Sequence, residues 1–133
     1  MSQQNVEIVK ASFEAWNAGD MDAWANFLAP DVIWRPPKDW PEPGPFAGRE
    51  AVLRQVRRNR EAWDADTAEP IGDFIDAADR VAVRYVWRVR GHGPPSSNWE
   101  VTCVYTVRQG SISAFEFFWD HAEGLEAVGL RDG

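Results

Sequence analysis

Asp120 and His121 are the adjacent pair in this sequence best suited to moving a proton. An imidazole titrates near neutrality, as a general base requires, and a neighbouring carboxylate can take part in the transfer. The same four residues, Asp120-His121-Ala122-Glu123, also form a capping-box-like pattern with Asp in place of Ser or Thr. In that reading they start a short C-terminal helix ended at Gly129. Tyr85 and Tyr105 come next, because a buried phenol needs a hydrogen-bond partner and can offer one to a ligand carbonyl or hydroxyl. Cys103 lies in an apolar pattern and reads as a small packing residue rather than a nucleophile. His92 falls in the loop Gly91-His92-Gly93-Pro94-Pro95, where solvation is the default. Two histidines and one cysteine do not make a conventional zinc site, and no cofactor is expected.

These residues must be positioned by the last third of the chain. Val81, Val83, Tyr85, Trp87 and Val89 alternate with Ala82, Arg84, Val86 and Arg88. Trp99, Val101, Cys103, Tyr105 and Val107 alternate with Glu100, Thr102, Val104 and Thr106. Both runs have the period of two that marks a strand with one apolar face. A third run, Ile112–Trp119, carries Phe115, Phe117 and Trp119 on one parity and Glu116 on the other. A three-residue turn at Gln109-Gly110-Ser111 places those aromatics with Tyr105, Cys103 and Val101, and Glu116 with Arg84 and Arg88. A two-residue turn reverses the register. The three-residue turn is expected because it segregates the charges. Arg84 and Arg88 then pair with Glu100 and Glu116 across the strands.

The aromatic face needs a cover, and the N-terminal half supplies it. Val6, Val9, Phe13 and Trp16 form the stripe of a helix over Gln4–Asn17. Asp20 caps a second helix running to Ala29, with Trp24, Phe27 and Leu28 inward and Pro30 as its stop. A short strand is expected at Asp31–Arg35, then a stiff loop with five prolines, Pro36–Phe46, long enough to act as a cover. A third helix spans Arg49–Trp63, with Val52, Leu53, Val56 and Trp63 inward. Its Arg54, Arg57, Arg58 and Arg60 read as a solvated face. A strand at Ile71–Asp76 enters the meander through a turn at Ala77-Ala78-Asp79. Helices and strands are segregated, so the class is α+β, with three helices on a curved, mainly antiparallel sheet.

The totals narrow the function. The 133 residues form one domain, 1–133, able to bury roughly two thirds of the surface of the unfolded chain. No apolar run approaches the ~18 residues of a membrane span, and the opening Met1-Ser2-Gln3-Gln4 is not that of a signal peptide. A single cysteine excludes an internal disulfide and fits the cytoplasm. The net charge of −7 disfavours nucleic acid as a partner. Eight tryptophans suggest either an aromatic core or an apolar cavity.

Asn17-Ala18-Gly19-Asp20-Met21-Asp22-Ala23-Trp24, followed by Leu28-Ala29-Pro30-Asp31-Val32-Ile33-Trp34, resembles the opening of SnoaL-like proteins of the nuclear transport factor 2-like superfamily. Phe46-Ala47-Gly48-Arg49-Glu50-Ala51-Val52 and the tail Asp120–Leu130 resemble further segments of that family. The resemblance implies a cone-shaped α+β barrel, commonly a homodimer. Its members include cyclases, isomerases, hydrolases and binding proteins. Aligned on this resemblance, the tyrosine of steroid isomerases falls on Ser12 and their catalytic aspartate on Pro36, so isomerase chemistry of that kind is not expected.

Three functions stay open: an acid–base enzyme of the cyclase or isomerase type, a binding protein, and a dimeric interaction module. The expected ligand is a small hydrophobic or aromatic molecule. Trp16, Trp34, Tyr85, Trp87, Cys103, Tyr105, Phe117 and Trp119 are expected to line its pocket, with Asp120 and His121 at the rim.

Overall fold

The first helix forms because four apolar residues recur on one face. Val6, Val9 and Phe13 are buried in it and Trp16 is half-buried. The computed structural model describes residues 2–36, 40, 44–61, 63–91 and 96–129. In chain order the elements are α1 (Ser2–Asn17), α2 (Met21–Ala25), β1 (Leu28–Arg35), β2 (Phe46–Ala47) and α3 (Arg49–Glu61). Then come β3 (Trp63–Pro70), β4 (Ile75–Ala77), β5 (Arg80–Gly91), β6 (Ser96–Arg108), β7 (Ser111–Phe118) and α4 (His121–Ala127). No helix among the described residues is long and apolar enough to cross a membrane.

The strands form one sheet in the order β2-β1-β7-β6-β5-β3, with β4 also on β5. All pairings are antiparallel except β1 with β7. Helices α1, α2 and α3 cover the aromatic face. The fold is the expected α+β cone.

Two side chains tie the cover to the sheet. The Asn17 amide donates to the Ala68 carbonyl and accepts from the Ala68 N–H, both at 2.8 Å, so α1 is clamped onto β3. The Arg49 guanidinium donates twice to the Leu28 carbonyl, at 3.1 and 2.6 Å, fixing the start of α3 against the start of β1.

Several boundaries differ from the expectation. Asp20 caps α2 as foreseen, accepting from the Ala23 N–H at 3.0 Å. The helix nevertheless ends at Ala25, because Leu28 pairs with Ile112 and begins β1. Helix α3 ends at Glu61. Trp63 opens β3, and its side chain lies outside the described residues. The expected strand at Ile71–Asp76 is the shorter β4, and β3 precedes it.

The last hairpin contains a correction with a structural reason. Arg108 pairs with Ser111, so the turn holds two residues, Gln109 and Gly110. Both have positive φ, 53° and 80°, the backbone of a type I′ hairpin. A two-residue turn alone would send Phe115 and Phe117 to the wrong face. Instead Val107 pairs with Ile112 and Thr106 with Ala114, leaving Ser113 as an extra residue. This bulge shifts the parity back, so Tyr105 faces Phe115 and Cys103 faces Phe117. The expected face is reached by a different turn. Of the expected ion pairs, Arg84–Glu100 is present, whereas Arg88 pairs with Glu69 of β3 at 2.9 Å rather than with Glu116.

Helix α4 packs on the opposite face of the sheet, where Gly124 lies against Thr102. A Cβ at Gly124 would meet Thr102 Cγ2 at 2.6 Å. Thr102 is β-branched and 1% exposed, and its hydroxyl lies 2.8 Å from His121 Nδ1, so it has little room to yield. Alanine improves helix propensity by about 1 kcal/mol, but overpacking costs about 1–3 kcal/mol. Gly124→Ala is therefore expected to be destabilising, by about 1 kcal/mol net, read as a lower urea midpoint at unchanged slope.

Candidate functional site

Strand pairing builds the wall of the site. Phe46 of β2 pairs with Trp34 of β1, Trp34 with Phe115 of β7, and Phe115 with Tyr105 of β6. Their rings lie nearly parallel, at 26°, 16° and 20°, with centroids 5.2, 6.0 and 6.1 Å apart. The four side chains form an aromatic ladder across four strands, the cross-strand contact that a sheet face rewards.

A cavity of about 60 Å³ lies against this ladder. Trp34, Phe115 and Tyr105 line it together with Tyr85 and Trp87 of β5, Phe117 of β7 and Ala68 of β3. The helices close it with Ser12, Phe13 and Trp16 of α1, Trp24 of α2, and Val56 and Asn59 of α3. Phe13 sits edge-on to both Tyr85 and Tyr105, at 5.3 and 6.0 Å. The Arg60 guanidinium stacks on Trp16 at 4.4 Å, an arrangement that favours a cation on a ring face.

Several of the polar groups around this space are already engaged. The Ser12 hydroxyl donates to the Val9 carbonyl at 2.6 Å. Asn59 accepts from the Gln55 amide at 3.3 Å. The Tyr105 hydroxyl lies near the Cys103 thiol. Burial pushes the Tyr105 phenol well above its ordinary range, and Cys103 and Tyr85 push it further the same way. Burial likewise raises the Cys103 thiol, opposed by the nearby Tyr105 hydroxyl and assisted by Glu116. Both groups are neutral at physiological pH. The Trp34 Nε1–H, by contrast, is buried and has no hydrogen-bond partner.

Of the expected pocket residues, Trp16, Trp34, Tyr85, Trp87, Tyr105 and Phe117 line the cavity. Cys103 does not; it is wholly buried beside Tyr105. Trp119 does not either, being 41% exposed. It lies past the end of β7, where strand alternation no longer aims its side chain. Trp119 joins Trp40 and Trp99 in an outer cluster that meets the cavity wall through Trp87. Trp40 stacks on Trp87 at 5.5 Å and 27°; the expected covering loop Pro36–Phe46 falls largely on residues 37–39 and 41–43, which lie outside the described residues. Phe13, Trp24 and Phe115 had the correct inward parity or spacing without being assigned to the pocket. Asn59 carried no signal beyond its helical spacing from Val56.

Asp120 and His121 do not line the cavity. Asp120 is the N-cap of α4, its carboxylate accepting from the Ala122 N–H at 2.9 Å. His121 Nδ1 meets Thr102 Oγ1, and Thr102 lies on the even parity of β6, opposite Tyr105 and Cys103. His92 lies outside the described residues. Among the described residues no cluster of three or more His, Cys, Asp or Glu could hold a metal ion.

Residues 9–115 match the model of the SnoaL-like domain, and the chain belongs to that family. Solved structures agree on the fold. A nuclear transport factor 2-like protein of unknown function from Burkholderia pseudomallei is 25% identical, with a TM-score of 0.78 over 94% of this chain and 97% of that one. A candidate polyketide cyclase from Sinorhizobium meliloti is 27% identical, with a TM-score of 0.69 over 88% and 98%. Another from Xanthomonas campestris is 24% identical, with a TM-score of 0.74 over 95% and 97%. No curated protein matches the sequence.

The raised thiol and phenol tie stability to their neutral forms. Their ordinary values are 9.0 and 10.0, and both are higher in the folded chain. As pH climbs, the unfolded chain therefore loses these protons first. Their contribution is full below about pH 9 and is lost as pH rises through the folded values. Urea midpoints are expected to be flat from about pH 7 to 8.5 and to fall in alkali. The double variant Cys103→Val/Tyr105→Phe is expected to flatten that fall.

Proposed function

We propose that this protein binds a small, flat, largely apolar molecule of aromatic character in the cavity of the cone. The observation that carries this reading is the ladder of near-parallel rings beside a partly open cavity. A planar ligand laid against those rings gains about 0.5–1.5 kcal/mol per aromatic contact beyond its area burial. Size limits the ligand. The cavity of about 60 Å³ is smaller than the ~150 Å³ space in which an engineered cavity takes up benzene. One ring, admitted with small side-chain shifts, fits this scale better than a polycyclic skeleton.

Acid–base turnover of the cyclase type is the second reading. It draws on the Sinorhizobium meliloti relative and on Tyr105, a phenol held protonated beside the cavity where it could polarise a carbonyl. Asp120 and His121 lie outside the cavity lining, each bonded on or near α4. Homodimer formation through the outer sheet face stays a family-based proposal. The Arg84–Glu100 pair forms within the chain.

Ala68 offers a test with two opposite readouts. It is buried, lines the cavity and carries only a methyl group. Ala68→Leu is expected to fill the space, keep or slightly raise the melting temperature, and weaken ligand binding at least about tenfold. His121→Gln is expected to leave affinity unchanged while lowering stability by about 0.5–1.5 kcal/mol through the lost Thr102 bond. The ligand would be found by native mass spectrometry of protein purified from cell extract, and affinities by tryptophan fluorescence. Unaltered binding by Ala68→Leu would sink the cavity reading. Conversion of the captured compound, lost in Tyr105→Phe, would establish the catalytic one.

A further inference from the structure

We infer that Arg60 stands at the mouth of the cavity and that the ligand is a monocyclic aromatic carboxylate, its ring inside and its carboxylate held on the guanidinium at the rim. The inference rests on the cavity being a ligand site and names the chemistry that site selects. The helical lining shows where the cavity meets solvent. Ser12, Phe13, Trp24 and Val56 are buried, whereas Trp16 of α1 and Asn59 of α3 are half-buried. The opening on this side therefore lies at the seam between the C-terminal ends of α1 and α3. Tyr105 and Phe117 are the half-buried lining residues of the sheet, and neither offers a cation.

Arg60 occupies that seam. It is half-buried, follows Asn59 on α3, and its guanidinium lies over the Trp16 ring at 4.4 Å. A Cβ at Gly19, just past the end of α1, would lie 3.9 Å from its Nη2, so the side chain spans from α3 to α1. Stacking engages the flat face of a guanidinium. Carboxylates are held by its five edge donors, which can serve more than one partner. The ring beneath holds the cation in place, so an arriving carboxylate has little left to order. A charge at the rim also keeps its contact with water, which a dry aromatic cavity would strip away. Size agrees, since a cavity of about 60 Å³ is short of space even for one ring and a carboxylate left outside takes none of it. The net charge of −7 repels anions in general, so an anionic ligand needs a local cationic field. Arg54, Arg57, Arg58 and Arg60 gather on α3 and supply it, with Arg57 shared with Asp22 at 3.1 Å.

Two probes of one shape separate the inference from the cavity reading. Benzoate and nitrobenzene are isosteric and differ by one charge. Calorimetric titration of wild type is expected to show benzoate bound at least about tenfold more tightly, an advantage that shrinks as salt is raised. Arg60→Gln is expected to weaken benzoate about tenfold and to leave nitrobenzene within about twofold of wild type, with Arg60→Lys restoring part of the loss. Ala68→Leu is expected to weaken both probes. Equal wild-type affinities for the two would overturn the carboxylate anchor and leave the cavity reading intact, as would equal weakening of both by Arg60→Gln. Benzoate binding that survives Ala68→Leu while nitrobenzene binding is lost would put the carboxylate on the surface arginines and overturn the anchor alone. Binding of neither probe to wild type would overturn both readings. The salt dependence needs no variant, so it decides the matter even where a change at Arg60 disturbs folding.

Discussion

One extra residue in the last hairpin governs the interior. Strand alternation assigns every side chain of β7 to a face by its count from the turn, and the tight Gln109-Gly110 turn assigns them the wrong way. Ser113 restores the count. Its hydroxyl donates to the Thr106 carbonyl at 3.3 Å, helping to satisfy the backbone where the ladder is interrupted. Without the bulge, Phe115 and Phe117 would leave the helices and Glu116 would enter the core. The row from Phe46 to Tyr105 would break at its centre. The cavity wall is thus a consequence of register before it is a consequence of composition.

The helices then meet a surface that is already shaped. Parallel rings present a flat wall, and α1 covers it with edges rather than faces, as Phe13 does against Tyr85 and Tyr105. Edge-to-face contacts leave gaps that interdigitated aliphatic side chains would close. The Asn17 clamp resists collapse of that gap. It fixes the end of α1 on the backbone of Ala68, whose small side chain lines the cavity. The space is therefore kept by polar bonds at its margin, while its walls are apolar.

Much of this was legible in the sequence, where physics leaves a period. Strands β5, β6 and β7 and the stripes of α1 and α3 were readable because each buries one face. Strand β3 was not. Asp64-Ala65-Asp66-Thr67-Ala68-Glu69 has neither β-branched alternation nor an apolar parity, and its long antiparallel register with β5 holds it as a strand. The end of α2 was misread because Phe27 and Leu28 fit a helical stripe, while Leu28 was claimed by Ile112 of the distant β7. In the site, parity found the inward aromatics of the strands. It failed at Trp119, one residue past the sheet, and could not choose between catalysis and capping for Asp120. The unpartnered indole had no signature at all, since it depends on what surrounds Trp34 in space.

The parallel pairing of β1 with β7 also sets an order of events during synthesis. Leu28 meets Ile112, so β1 waits for a strand made much later. Helices α1 to α3 and their tryptophans leave the ribosome before the surface they cover exists. The nascent N-terminal half is a set of amphipathic segments without a core, the kind of chain that chaperones hold. Only when Glu116 has cleared the exit tunnel can the whole β1–β7 contact form and the helices close over the rings.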